Sequence, residues 1–163
     1  MKALLLMLAI APFWQAENAV LPPAGTQPLV SVQGRGVQIY HCQAQGAAFS
    51  WSLLSPEAAL FNDSGLRVGQ HAAGPTWTWN DGSSITGKLL AKQPSPTPGS
   101  IPWLLLKASP ANEGGKYLAD VAYVRRSETQ GGEAPDSGCD ATHAGALLRV
   151  PYTATYTFYK KTK

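Results

Sequence analysis

The stretch Val150-Pro151-Tyr152-Thr153-Ala154-Thr155-Tyr156-Thr157-Phe158 decides the fold. In an extended chain Val150, Tyr152, Ala154, Tyr156 and Phe158 face one way, and Thr153, Thr155 and Thr157 the other. The composition suits a strand with one buried face. The pattern recurs toward the N-terminus. Phe49 to Leu53 alternates strictly, Val37 to Cys42 forms a strand opened by Gly34-Arg35-Gly36, and Leu66 to His71 is a short strand. Thr76 to Lys88 reads as a hairpin, because Asp81-Gly82 supplies residues that tolerate positive φ at its tip.

The remaining segments fit the same picture. Ile101 to Ala108 is an apolar run of strand length, and Tyr117 to Thr129 is rich in Tyr and Val. Pro94, Pro96, Pro98 and Gly99 make Lys92 to Ser100 a loop, and Gln130 to Gly145 is a longer one. Pro56 to Phe61, with Pro at a first helical position, reads as one short helical turn. The chain is thus expected to be all-β: a single antiparallel β-sandwich or barrel with long loops and at most one short helix.

The N-terminus sets the compartment. Lys2, the apolar run Ala3 to Ala11, then Pro12 to Ala16 form the three regions of a secretory signal. The run is too short for a membrane-spanning helix, which takes roughly 20 residues. Residues 1–19 are read as a signal peptide cut near 16–19, 20–33 as an extended leader, 34–159 as the β domain and 160–163 as a basic tail. The mature chain, about 145 residues, makes one domain with a full core and no membrane span. It is expected to be exported, periplasmic or secreted. In an oxidising compartment Cys42 and Cys139, the only cysteines, are expected to pair as a disulfide. A net charge of +3 without a basic stripe gives no footprint for nucleic acid.

Candidate chemistry concentrates in one segment. His71, Trp77, Trp79, Asn80 and Asp81 bring together an imidazole, two indoles, an amide and a carboxylate between Gly74-Pro75 and Asp81-Gly82. Trp77 and Trp79 share a strand face, and exposed they would form a platform for a sugar ring or an aromatic ligand. The competing account buries them in the core. An alternative function, a polysaccharide-acting hydrolase or lyase, would use Asp81, Glu57 or His71, since such chemistry needs paired carboxylates across a cleft. His41, His71 and His143 lack metal-ligand spacing, so no metal site is assigned. No cofactor is expected. There is no G-x-G-x-x-G for a dinucleotide and no G-x-S-x-G for a hydrolase nucleophile.

The segments QIYHC (38–42), WSLLSPEAALF (51–61), VGQHAAGPTWTWNDGSSITGK (68–88), IPWLLLKA (101–108), VAYVRRSETQGGEAPDSGCDA (121–141) and VPYTATYTFY (150–159) stand in that order. Together they resemble an exported bacterial and fungal family catalogued as domain of unknown function 3455. The resemblance covers nearly all of the mature chain. It implies an exported single-domain protein and carries over no catalytic residue. The expected function is a non-enzymatic binding module for a glycan or a small-molecule ligand.

Overall fold

The computed structural model describes residues 20–163, so the expected signal peptide lies outside the described residues. Eight strands follow one another: β1 Thr26–Gln45, β2 Ala48–Phe61, β3 Arg67–Ala72, β4 Thr76–Trp79, β5 Ser84–Gln93, β6 Trp103–Pro110, β7 Val121–Gly131 and β8 Leu147–Lys161. Each pairs antiparallel with the next, and β8 returns to β1 from Thr26↔Lys161 to His41↔Leu147. The sheet is therefore a closed up-and-down barrel without a free edge. The one helical element among the described residues is a 3-10 turn at Ala141–His143.

Closing an eight-stranded sheet leaves an interior just wide enough for side chains or one small ligand. Inward residues alternate along each strand: Val32 on β1, Ala58 and Leu60 on β2, Ile85 on β5, Val124 on β7, and Tyr152, Ala154, Tyr156 and Phe158 on β8, all buried. The alternation read at Val150 to Phe158 is that inward face. Two inward glycines make room for large rings. A Cβ at Gly34 would stand 2.5 Å from the Tyr156 ring, and one at Gly87 2.9 Å from Trp77.

The apolar run of β6 has two covered faces. Leu106 and Ala108 point inward, while Trp103 and Leu105 pack outside with Val20, Ala91 and Tyr123. A run covered on both sides loses its alternation.

Three details differ from the sequence reading. Pro56 to Phe61 belongs to β2 rather than a helical turn, because Ala58 and Leu60 alternate inward with Glu57 and Ala59. Pro56 is accommodated because β2 pairs with β3 only from Ala58 to Phe61, so its missing N–H costs no bond on that side. The first strand begins at Thr26, within the expected leader, and Gly34-Arg35-Gly36 lies inside it. Lys160 and Lys161 belong to β8 and pair with Gln27 and Thr26, so only the last two residues form a tail.

Candidate functional site

The two ends of the barrel differ. At one end the β4–β5 turn and the β6–β7 loop meet, and Leu118 from that loop is fully buried in the core. Asp81 ties this end together. Its Oδ1 accepts from the Ser83 N–H (2.9 Å) and hydroxyl (2.6 Å), and its Oδ2 from the Lys116 (2.8 Å) and Tyr117 (2.9 Å) N–H groups. These bonds, the Ser83 hydroxyl foremost, hold the Asp81 carboxyl well below the usual carboxylate range. The Ser83 hydroxyl also accepts the Leu118 N–H at 3.2 Å. Trp79 stacks on Tyr117 at 4.6 Å, and the Asn80 amide donates to Arg67 O at 2.8 Å.

The opposite end, where the β1–β2 and β3–β4 turns lie, is open. A cavity of about 410 Å³ enters the barrel there. Its rim is apolar, with Leu53 and Leu54 exposed beside Pro56 and Pro75. Its depth is polar and buried. Gln38 and His71 are 1 % and 4 % exposed, and Arg126 is 9 % exposed. Arg126 is inward because it follows Val124 by two positions on β7, opposite Tyr156 on β8. Its Nε (3.0 Å) and Nη2 (2.8 Å) both donate to Pro102 O.

His71 stacks on Trp77, and its Nδ1 is 2.9 Å from Thr76 O. A carbonyl only accepts, so Nδ1 carries the proton and Nε2 presents a lone pair. Burial pushes the His71 pKa down to about 4, with the Arg126 charge adding to the effect and the Thr76 bond opposing it. The ring is neutral at physiological pH. Burial raises the hydroxyls of Tyr152 and Tyr156, which lie 3.0 Å apart, above the usual tyrosine value. Two donors at this end have no partner: Gln38 Nε2 and Trp77 Nε1. Buried polar groups are nearly always satisfied, and such exceptions mark places where water or a ligand belongs.

The geometry divides the segment expected to line one site. His71 and Trp77 line the cavity, while Trp79, Asn80 and Asp81 gather at the closed end and are engaged in structural bonds. The paired-indole platform does not form, because Trp77 is 1 % exposed and Trp79 is covered by Tyr117. Glu57 sits beside Ala58, the register partner of His71, so Glu57 and His71 face opposite sides of the wall. Glu57 is exposed and paired with Arg149 at 2.9 Å. Among the described residues, no three His, Cys, Asp or Glu side chains gather as a metal site. His143 pairs with Asp140 at 2.9 Å instead. Sequence reading passed over Gln38 and Arg126. The signal for Arg126 was a charged residue in phase with inward Val124.

Cys42 and Cys139 are disulfide-bonded, joining β1 to the long β7–β8 loop. The same loop is held by Trp51 Nε1 donating to Ser137 O (3.0 Å) and by Cys42 N–H donating to Ala146 O (2.9 Å).

A closed eight-stranded barrel, plugged at one end and hollow at the other, defines the structural class of the chain. The chain belongs to the family described as protein of unknown function (DUF3455), whose profile matches residues 23–160. No curated protein and no solved structure matches it.

Proposed function

We propose that this chain is a non-enzymatic binding protein that takes a small-molecule ligand into the open end of its barrel. The observation that carries this reading is the cavity itself, which combines an apolar rim with unpartnered buried donors on Gln38 and Trp77. Ligand sites are concave, mostly apolar and fitted with a few polar groups, within roughly 300–1,000 Å³. A small molecule fits better than a glycan laid on an aromatic platform, since neither indole is open to a flat ring. The hydrolase or lyase alternative has little support, because Asp81 is bonded at the closed end, Glu57 is paired with Arg149 on the outer surface, and the His71 ring is stacked on Trp77 inside the barrel.

We read the chain as exported, on the apolar run from Ala3 to Ala11 and the Cys42–Cys139 bridge. Among the described residues no helix is long and apolar enough to cross a membrane.

The binding reading is tested by fluorescence titration with N-phenyl-1-naphthylamine, a neutral apolar probe. Saturable binding at one site, weakened by Leu54→Arg on the exposed rim without a change in melting temperature, supports it. Binding that does not saturate, or that ignores Leu54→Arg, contradicts it.

A further inference from the structure

We propose that the ligand is a small amphipathic carboxylate, its anionic group held by Arg126 and Gln38 and its apolar body lying along Leu53, Leu54, Leu104 and Leu106. The proposal rests on the reading of the open barrel end as the binding site. It starts from a charge. Arg126 is the one charged residue lining the cavity and is nine-tenths buried. Among the described residues the ion pairs are His143–Asp140 and Arg149–Glu57, neither of which involves it. A buried charge is costly unless it is paired, and the partners of Arg126, Pro102 O and the Tyr156 hydroxyl, are both neutral. A guanidinium has five N–H donors, of which two go to Pro102 O.

The unpartnered polar atoms of the other lining residues are donors. Gln38 Nε2 and Trp77 Nε1 lack acceptors, and both side chains line the same space as Arg126. Acceptors are the missing component. An ionised carboxylate is acceptor-only and planar, matching the guanidinium fork. The charge balance favours a monoanion. One guanidinium faces the cavity, and neutral His71 offers a lone pair at Nε2 that a second negative charge would oppose. Leu104, level with Arg126, and Leu106, two residues deeper, line the wall that leads out to Leu53 and Leu54 at the rim, a path for an aliphatic or aromatic body.

The test is displacement of N-phenyl-1-naphthylamine by decanoate, decanol and decyl phosphate at neutral pH. Decanoate should bind about tenfold or more tighter than decanol, as a charge-assisted bond implies. In Arg126→Gln the preference should fall to near unity, with the melting temperature as a control for folding. If that variant does not fold, Arg126→Lys takes its place, and the preference for decanoate should fall there too, because an ammonium cannot make the two-pronged contact of the guanidinium. Decanol matching decanoate would overturn the anionic ligand and leave the binding reading standing. Decyl phosphate exceeding decanoate would overturn the carboxylate assignment. Failure of the naphthylamine itself to bind would defeat the binding reading beneath both.

Discussion

His71 lies flat against Trp77, with ring centroids 4.5 Å apart and planes 8° from parallel. This pair forms a wall of the cavity and also joins it to the core, because Trp77 meets Tyr156 and Phe158 edge-on. Stability and binding therefore share these residues.

The first consequence is a dependence on pH. An unfolded histidine takes a proton near 6.5, whereas buried His71 takes one only near 4. Between those values the unfolded state binds the additional proton, so stability is complete above about pH 6.5 and declines as pH falls toward 4. The loss reaches about 3 kcal/mol if burial acts in full. Denaturant melts at several pH values should show a steeper acid loss in the native protein than in His71→Phe, which keeps a ring and removes the titration. Parallel curves would contradict this.

Trp77 and Trp79 should behave differently although two positions apart. Trp77→Ala deletes a fully buried ring and should cost about 3–5 kcal/mol. Trp79→Ala removes a part-buried ring stacked on Tyr117, at smaller cost, and should leave ligand affinity unchanged. Paired urea melts and naphthylamine titrations separate the two. A Trp79→Ala variant that folds but no longer binds would move the site to the closed end.

Asp81 is expected to be structural. Asp81→Ala strips acceptors from the Ser83, Lys116 and Tyr117 N–H groups and should lower the melting temperature while sparing naphthylamine binding. Because its carboxyl is held below the usual carboxylate range, its contribution is present above the unfolded carboxylate value and fades as pH falls below it. Loss of binding with an unchanged melt would return Asp81 to the site.

The disulfide links residues 97 apart in sequence. Loop-closure entropy for so long a loop gives roughly 4–5 kcal/mol, an amount that depends on the model of the unfolded chain. Replacing both Cys42 and Cys139 by Ala should lower stability by an amount of that order in denaturant melts, and a thiol assay on the native chain should find no free thiol. Two titratable thiols would refute the bridge.

The fold was legible because its signal is local. Val150 to Phe158 and the Asp81-Gly82 hairpin carry period-two patterning and turn chemistry within a few residues. Pro56 misled because proline at a helix start and proline on a thinly paired strand look alike without the neighbouring strand. The candidate site was half legible. Sequence proximity put His71 beside Trp77 correctly, but could not show that a four-residue strand, β4, carries Trp79 and Asp81 to the other end of the barrel. Gln38 and Arg126 come from β1 and β7, and only barrel closure brings them to one cavity. Long-range pairing of this kind leaves no trace in spacing.

The most direct measurement is the indole N–H region of a nitrogen-resolved NMR spectrum during titration with N-phenyl-1-naphthylamine. Trp77 Nε1 has no protein partner, whereas Trp51 Nε1 is bonded to Ser137 O. The account expects the Trp77 signal to move saturably while those of Trp51, Trp79 and Trp103 stay nearly fixed. Movement of Trp79 or Trp103 with Trp77 stationary, or no movement at saturating probe, would contradict a ligand site in the open end of the barrel.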